Sequence, residues 1–330
     1  MRMLVFVTQQ ADPEHPVLGA TAAQIAALAA RVDEVLVLAN GPVADGLPAN
    51  CRVRSFAAPS KLGRTSRYLR ALIPALAPRP VAVLAHMSPV YAVVAAPLAR
   101  PLGVPVLLWF TQAGGGRLLR VAEPLVSAIL TVDRRTVPLD SKKVRPIGHG
   151  IDVSAFRGVS GLEPQATLRL LGLGRYAPVK GWDVAIRALA ELPDAELTIH
   201  GSTLTDADRR NRAELERLAH ELGVRATFGD AVPRSEVPRL LAEADALVNP
   251  TRGNAADKVV FEAAAAGIPV LAASPVFDGF LPPELRFDGP HELAERLRTL
   301  DPAAANGLRA KVEAEHSAAH WADAVLAAGR

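Results

Sequence analysis

The chain alternates short apolar runs with segments of helical spacing, and this alternation constrains the fold more than any other feature of the sequence. In the first half, β-branched runs occur at 4–7, 34–39, 81–85, 104–109 and 129–132, and a segment such as 21–32 has helical spacing. Continuous apolar runs are typical of strands that helices cover on both faces. The alternating order therefore predicts an α/β fold with a doubly wound parallel sheet.

The alternation stops after Gly150 and starts again near residue 167. The segment 154–165 contains Gly and Pro and has little periodicity, which is typical of a linker. Strands are then predicted at 167–171, 196–200, 225–228, 246–249 and 269–272, helices at 182–191, 206–222, 234–242 and 258–266, and a long Ala-rich helix at 306–328. Because 330 residues exceed what one core usually supports, two domains are predicted, 1–155 and 167–310, joined by a linker at 156–166.

The composition indicates in which cellular compartment the protein is expected. The one cysteine, Cys51, excludes an internal disulfide and fits a reducing environment. The longest apolar stretch, 90–110, contains Pro97, Arg100, Pro101 and Pro105, so it predicts a helix followed by a buried strand. A membrane-spanning helix needs about 20 uninterrupted apolar residues. We therefore expect a cytoplasmic protein, and a peripheral position at the inner face of the membrane stays open.

The charge is distributed unevenly along the chain. Residues 1–160 contain 18 Lys and Arg against 9 Asp and Glu, whereas residues 161–330 contain 19 against 25. A group of basic residues recurs every third position among apolar ones: Lys61, Arg64, Arg67 and Arg70. This spacing predicts a basic amphipathic helix, whose basic residues either form a solvated face over a core or lie on anionic lipid. No basic motif interleaved with aromatic residues appears, so nucleic acid is not expected as a partner.

One segment combines a strand end, a glycine turn and two cations. Residues 171–182 contain Gly172, Gly174, Arg175 and Lys180 and lead into a helix. Ligands of open α/β sheets bind outside the carboxyl ends of the strands, where this turn is predicted. Glycines allow the backbone to approach a phosphate, and the two cations place positive charge there. The alternative is a polar loop with surface cations.

A second segment, 249–262, also runs from a strand through a loop into a helix that begins near Asp257. The first amides of such a helix bind anions, helped by the helix dipole. Glu262 lies inside this otherwise apolar helix, where a carboxylate is costly unless hydrogen bonds are donated to it. Ribose hydroxyls are such donors, and a structural partner within the protein is the alternative.

The order of these segments resembles the retaining glycosyltransferases of family 4, which have the GT-B fold. The motifs are Gly-Arg-x-x-x-x-Lys-Gly from 174, Thr-Ile-His-Gly from 198, Phe-Gly-Asp-Ala-Val from 228, Ala-Asp-Ala-Leu-Val-Asn-Pro from 244 and Asp-Lys-Val-Val-Phe-Glu from 257. The first half matches more loosely, through His15–Gly19, Ala85–Met87, Lys143-Val144 and Gly148–Asp152. The resemblance implies two Rossmann-like doubly wound domains facing a central cleft, and residues 311–330 crossing back to the first domain.

The resemblance also implies roles for individual residues. Arg175 and Lys180, beside Gly174, would hold the diphosphate of a nucleotide-sugar donor, and Glu262 would bind its ribose hydroxyls. In the first domain, Gly19 would lie in a loop over the phosphates and His86 would contact the transferred sugar. The remaining donor-binding positions are in the second segment: Asn254, Asp257, Lys258, Val259 and Val260. The implied enzyme is a metal-independent hexosyltransferase without a cofactor, which uses a UDP- or GDP-sugar and a hydroxyl acceptor that is a glycan, a lipid-linked molecule or a small molecule.

One position departs from the family pattern. The family has a glutamate eight residues before Glu262, where this chain has Asn254. Asparagine still exchanges hydrogen bonds with hydroxyls but carries no charge. A different donor sugar, recruitment of Asp257, or a catalytically weak or silent nucleotide-sugar-binding protein would each account for it.

Three weaker signals have plainer explanations. Asp206-Ala207-Asp208 has the spacing of a metal-binding motif but begins a predicted helix, where capping accounts for it. His316 and His320 are four residues apart on the predicted last helix, where a solvated face is the expectation. The run Gly172-Leu173-Gly174 after a strand also fits a nicotinamide-dependent oxidoreductase, but His200, not an acid, ends the next strand.

Overall fold

A computed structural model describes residues 2–15, 19–42, 45–112, 114, 116–158 and 167–330. These residues form two compact units, Met1–Asp152 together with Glu315–Arg330, and Val153–Ala314. The sequence-based boundaries were 155, 167 and 310, and residues 159–166 of the predicted linker lie outside the described ranges. None of the helices in those ranges combines the length and apolar character that crossing a bilayer requires.

The first unit contains a parallel sheet of seven strands in the order β3-β2-β1-β4-β5-β6-β7. The strands are β1 Met3–Thr8, β2 Glu34–Ala39, β3 Cys51–Ser55, β4 Ala82–His86, β5 Val106–Trp109, β6 Ala128–Thr131 and β7 Val144–Pro146. The helices between them are α1 Thr21–Ala29, α2 Lys61–Leu76, α3 Pro89–Ala99 and α4 Gly116–Ala122. The predicted strands are present, and all strand pairs are parallel.

Two strands of this sheet, β3 and β7, were not predicted. Both lie at an edge: β3 exposes Arg52 and Arg54, and β7 consists of three residues that end in Pro146. Edge strands need little apolar surface and tolerate charge and proline. The periodicity of the sequence therefore gives no signal for them.

The second unit has a parallel five-stranded sheet in the order β10-β9-β8-β11-β12. Its strands are β8 Leu168–Leu173, β9 Ala195–Gly201, β10 Ala226–Asp230, β11 Ala246–Asn249 and β12 Val270–Ala272. Its helices are α5 Trp182–Leu189, α6 Asp206–Leu222, α7 Val237–Ala242, α8 Lys258–Ala266, α9 Pro290–Arg298 and α10 Leu308–Lys311. Helix α9 was not predicted. Strand order reverses between β8 and β11, which are adjacent.

The long terminal helix predicted over 306–328 is wrong. The chain forms the short α10, a π-helical turn at Val312–His316, and then a separate helix, α11, at Ala318–Ala328. Ser317 separates them with extended backbone and accepts a hydrogen bond from the His320 amide, which caps α11. A Ser at this position favours a new helix start over continuation, because its side chain satisfies a free amide.

Helix α11 packs on α1 and β5 of the first unit. Trp321 meets the Trp109 ring edge-on, and Arg31 forms an ion pair with Asp323. The amides of Gly150 and Ile151 both donate to the His316 carbonyl. A Cβ at Gly148, where φ is +78°, would lie 1.9 Å from the Glu315 carbonyl oxygen, so the close approach requires glycine.

His316 is buried beside this crossing, which contradicts the expected solvated face. Burial, with a smaller contribution from the charge of His320, lowers the pKa of His316 to about 4. The folded state thus binds its proton more weakly than the unfolded state, in which the pKa is near 6.5. His320 is exposed.

We expect the free energy of unfolding to fall by about 2–3 kcal/mol as the pH drops from 6.5 to 4, because each pKa unit is worth about 1.4 kcal/mol. The contribution of His316 to stability is complete above pH 6.5, the pKa in the unfolded state, and is lost as the pH falls to about 4, the pKa in the folded state. Denaturant unfolding of wild type and His316→Gln across this range measures it. The substitution should flatten the profile, whereas the control His220→Gln, at an exposed histidine of α6, should leave it steep. An unchanged slope in His316→Gln would contradict the assignment.

Candidate functional site

Most of the predicted donor-binding residues follow β8 and β11, at the carboxyl edge of the second unit's sheet. These two strands are neighbours at the point where the strand order reverses. Open α/β sheets bind ligands at such a switch point, since the loops after the two strands diverge there. Gly174, Arg175 and Lys180 lie in the loop after β8, and residues 254–262 lie in the loop after β11 and in α8.

The loop after β8 is anchored by two aromatic residues. A Cβ at Gly172 would lie 2.8 Å from the Trp182 ring, so glycine there makes room for the indole. The Trp182 indole N–H donates to the Arg175 carbonyl at 3.0 Å. Tyr176 is buried, and its hydroxyl lies 2.8 Å from the carbonyl of Gly229. These contacts fix the backbone of the loop before any ligand arrives.

Arg175 is paired with a buried carboxylate. Its guanidinium donates to Asp208 at 2.9 Å, and Asp208 is 2% exposed while the Arg175 side chain is 39% exposed. Burial acts to raise the pKa of Asp208, but hydrogen bonds from Arg175 and Thr205 outweigh it and hold that pKa below its ordinary value. Asp208 also closes a capping box with Thr205 at the start of α6. Asp206 and Asp208 have the spacing of a metal-binding motif, but the Asp208 carboxylate is engaged in capping α6 and in the hydrogen bond from Arg175.

Lys180 and Asp257 join the two loops. The Lys180 ammonium lies 2.6 and 2.7 Å from the two carboxylate oxygens of Asp257, and each side chain is 18% exposed. Asp257 also accepts hydrogen bonds from Asn249 and Thr251. Desolvation acts to raise the pKa of Asp257, but the charge of Lys180 and the hydrogen bonds donated to the carboxylate hold it below its ordinary value.

Helix α8 begins as predicted, with Asp257 at its N-cap and Gly267 in a left-handed conformation at its end. The Val260 amide donates to the Asp257 carbonyl at 3.1 Å, so this amide is already hydrogen-bonded within the first turn of the helix. The Val259 side chain is half-buried. Asn254 is exposed in the loop before the helix. Lys258 lies in the first turn, and desolvation lowers its pKa to about 8 against the opposing charge of Glu262.

Glu262 has a structural partner within the protein, the alternative that the sequence left open, but the sequence did not identify Arg234 as that partner. Arg234 donates from its two terminal nitrogens to the two oxygens of Glu262, at 2.7 and 2.5 Å, and Glu262 is 2% exposed. The guanidinium lies 5.8 Å from the centre of the buried Phe156 ring. The sequence placed Arg234 at the start of a helix, whereas it begins a short 3-10 turn at Arg234–Glu236 that precedes α7. No local pattern links a loop arginine to a carboxylate 28 residues away.

His86 and Gly19 lie in the first unit and are described within it. His86 ends β4, is buried, stacks on Phe6 and has Nδ1 3.5 Å from the Thr8 hydroxyl. A Cβ at Gly19 would lie 2.2 Å from the Pro13 carbonyl oxygen, so this turn requires glycine. Residues 16–18 of the predicted motif lie outside the described ranges. Their roles toward a donor stay predictions.

The four basic residues of α2 do not share one environment. Lys61, Arg67 and Arg70 are exposed, and Arg67 donates to the Ala57 carbonyl, whereas Arg64 is half-buried near Tyr91. Two aliphatic side chains of the same helix face solvent, Leu62 at 85% exposure and Ile73 at 55%. Among the described residues, no group of three His, Cys, Asp or Glu side chains is placed to hold a metal ion.

Comparison with known proteins gives similarity in sequence and in fold. Residues 183–327 match a family model described as glycosyl transferase-like. A D-inositol 3-phosphate glycosyltransferase of a Mycobacterium species is 32% identical over 189 residues, which cover 51% of this chain and 41% of the relative. The lipopolysaccharide glucosyltransferase WaaG of Escherichia coli is 36% identical over 119 residues, 36% of this chain and 31% of the relative. The matches thus span less than half the length of these relatives.

Solved structures share the fold along nearly the whole chain. Anabaena HepE, solved in complex with UDP-glucose, has a TM-score of 0.77 at 16% identity and covers 98% of both chains. Sucrose-phosphate synthase of Thermosynechococcus elongatus has a TM-score of 0.78 at 18% identity and covers 98% of this chain and 97% of its own. At such identities the likeness concerns the fold, and it confirms the predicted α/β GT-B class with two Rossmann-like sheets.

The ammonium of Lys258 should titrate near pH 8, well below the ordinary lysine value of 10.5. NMR of the protein with ¹³C-labelled lysine would follow the Lys258 Cε resonance as the pH is raised, against the ordinary lysine value of 10.5. Glu262→Gln should lower the Lys258 pKa further, because it removes the neighbouring negative charge, and Arg234→Gln should raise it. A Lys258 resonance that titrates at the ordinary lysine value of 10.5 would show that the amine is solvated.

Proposed function

We propose that this chain is a retaining glycosyltransferase, on the basis of its similarity to glycosyl transferase-like proteins and of its GT-B fold. Its donor would be a sugar linked to a nucleoside diphosphate, UDP or GDP, and its acceptor a hydroxyl of a glycan, a lipid-linked molecule or a small molecule. The family match, the glycosyltransferase relatives and the UDP-glucose complex of a protein with the same fold support this class of reaction. The retained stereochemistry rests on the resemblance of the motifs to family 4.

The observation that carries the proposal is the convergence of cations at the switch point of the second sheet. The loop after β8 presents Arg175 and Lys180, and α8 presents Lys258 in its first turn. The Lys180–Asp257 ion pair joins the two loops. Cations and a helix N-terminus at one sheet edge favour an anion such as a diphosphate. Glu262, farther along the same helix, supplies an acceptor for hydroxyls.

The chemistry follows from where charge develops. The bond between the sugar anomeric carbon and the diphosphate oxygen breaks, and a bond from the acceptor oxygen to that carbon forms on the same face. Negative charge grows on the departing diphosphate, which takes the acceptor's proton. Preorganised cations aimed at that charge lower the barrier, typically by several kcal/mol. The protein needs no nucleophile of its own for this reaction, and no metal or other cofactor takes part in the proposed step.

Particular observations bear on two alternative functions of this chain. A nucleotide-sugar-binding protein without activity fits Asn254, which stands where the family has a glutamate, and sugar release from any donor would exclude it. An oxidoreductase would use Gly172 and Gly174 to approach a dinucleotide. Here the Trp182 ring fills the space above Gly172, which disfavours that use.

Calorimetric titration with UDP, GDP, ADP and NAD⁺ tests the donor site. We expect one nucleoside diphosphate to bind with a Kd on the order of micromolar. Arg175→Ala/Lys180→Ala should weaken this binding by about a hundredfold or more, because it removes two charge-assisted hydrogen bonds worth about 1.5–3 kcal/mol each. Absence of diphosphate binding, or indifference to both cations, would refute the site.

Charge-neutral replacements separate loss of binding from loss of folding. Lys180→Met/Asp257→Asn removes a cation together with its acid and leaves no unpaired buried charge. The control Arg169→Met/Asp245→Asn removes a pair of similar burial, with side chains 20% and 18% exposed, at the start of β8. Asp245 also accepts a hydrogen bond from the Arg169 backbone amide, so this pair lies at the amino-terminal ends of the strands, away from the candidate site. The first double variant should lose diphosphate affinity, and the control should keep it.

We also propose that α2 contacts an anionic membrane, which would bring the enzyme to a lipid-linked acceptor. Exposed Leu62 and Ile73 would insert, while Lys61 and Arg70 would meet lipid phosphates. Sedimentation with phosphatidylglycerol-containing vesicles should show binding that Lys61→Gln/Arg70→Gln reduces about thirtyfold, since the two cations contribute about 1 kcal/mol each. Leu62→Ser should also weaken it, and the control Leu222→Ser on α6 should not; equal binding to neutral phosphatidylcholine vesicles would contradict the charge contribution.

A further inference from the structure

We propose that Arg234 is a positioning residue that holds the Glu262 carboxylate ready for the two adjacent hydroxyls of a ribose. The inference rests on the proposed function, since it concerns the nucleoside part of the donor. It assigns a role to a residue outside every motif of the sequence. It also names the hydrogen-bonding partner of a carboxylate that is 2% exposed inside an apolar helix.

The contact between the two side chains is a two-pronged fork. Each terminal nitrogen of Arg234 meets a different oxygen of Glu262, at 2.7 and 2.5 Å. Such a bidentate pair fixes the plane of the carboxylate as well as its position, which a single hydrogen bond cannot do. Arg234 therefore determines where the remaining lone pairs of Glu262 point.

The number of acceptor positions left on Glu262 equals the number of adjacent hydroxyl groups on a ribose. An ionised carboxylate has about four acceptor positions, two on each oxygen. The fork takes one position on each oxygen and leaves one on each. The 2′ and 3′ hydroxyls of a ribose are adjacent donors that can reach the two oxygens of one carboxylate. Pairing with Arg234 is thus compatible with ribose binding and prepares it.

Arg234 is itself held in place. Its guanidinium lies over the Phe156 ring, which is 1% exposed, and the segment that carries Phe156, Val153–Phe156, packs against α8. A cation over an aromatic face is favourable, more so when water is excluded. The ring below, the carboxylate beside it and the 3-10 turn at Arg234–Glu236 restrict the arginine to one orientation.

Without Arg234 the carboxylate would lose its role as an acceptor. A buried carboxylate that loses its charged partner also loses the hydrogen bonds that compensate its burial and fix its orientation. Lys258, one turn earlier on α8, would remain as a cation, but its own pKa is about 8 and a single ammonium does not fix the carboxylate plane. Loss of Arg234 should therefore remove the contribution of the ribose hydroxyls and spare the rest of the nucleotide site.

The experiment compares affinity with and without those hydroxyls. Calorimetry with the nucleoside diphosphate that binds the wild type, and with its 2′,3′-dideoxy analogue, gives the ratio of the two Kd values. We expect a wild-type ratio of about tenfold or more, since two hydrogen bonds to a charged group are lost. In Arg234→Gln and in Glu262→Gln the ratio should fall toward one, while the Kd of the dideoxy analogue should stay within about threefold of wild type.

Two further variants keep the test decisive. Arg239→Gln removes an exposed arginine on α7 that pairs with Glu236 and Glu243, and it should keep the wild-type ratio. Arg234→Lys keeps the charge but loses the fork, so its ratio should fall below wild type even where Arg234→Gln fails to fold. A wild-type ratio in Arg234→Lys, or in a folded Arg234→Gln, would overturn the inference, as would equal weakening of both ligands.

Failure of the inference is distinguishable from failure of the proposed function. If no nucleoside diphosphate binds the wild type, the donor site itself is wrong. If the diphosphate binds and Glu262→Gln abolishes the preference for the ribose hydroxyls while Arg234→Gln keeps it, the donor site stands and only the role of Arg234 is rejected.

Discussion

The ion pair between Lys180 and Asp257 is the interaction on which the candidate site depends. It links the loop after β8 to the start of α8, and Asn249 and Thr251 donate to the same carboxylate. A carboxylate of this burial is stable only with such partners, and its removal would leave Lys180 with an uncompensated charge. The two loops of the switch point are therefore joined by this ion pair and by Arg252, whose backbone amide donates to the Val179 carbonyl at 2.9 Å, and these contacts set the spacing of the loops before a ligand binds.

The same logic of paired charges extends through the second unit. Arg175 is held by Asp208, and Arg234 by Glu262, so three candidate site cations each have an acid partner. This pairing reconciles an acidic second half with the proposed site for an anion, because the local arrangement of charge and not the net charge determines what binds. A site of this kind offers oriented cations with little cost of reorganisation when charge develops on a leaving group.

The first unit depends on a different constraint, the close passage of two backbone segments. Gly148 and Gly150 both have positive φ, and the amides of Gly150 and Ile151 donate to the His316 carbonyl. Side chains at these glycines would meet Glu315, Gln24 or Trp321. The break between α10 and α11 places the last residues against this passage, and the buried His316 stays neutral as a consequence.

The sequence by itself determined the class of fold and most of the elements, because buried strands and amphipathic helices carry their periodicity locally. It also determined the two loops of the site, since a glycine turn with two cations and a helix start after a strand are short-range patterns. Only the tertiary structure decided the edge strands β3 and β7, whose few apolar residues give no signal, and the break at Ser317, where capping outweighs helix propensity. It alone decided the partners of Arg175, Lys180 and Glu262 as well. Those contacts join residues 28 to 77 positions apart, and long-range pairing depends on topology that no local pattern encodes.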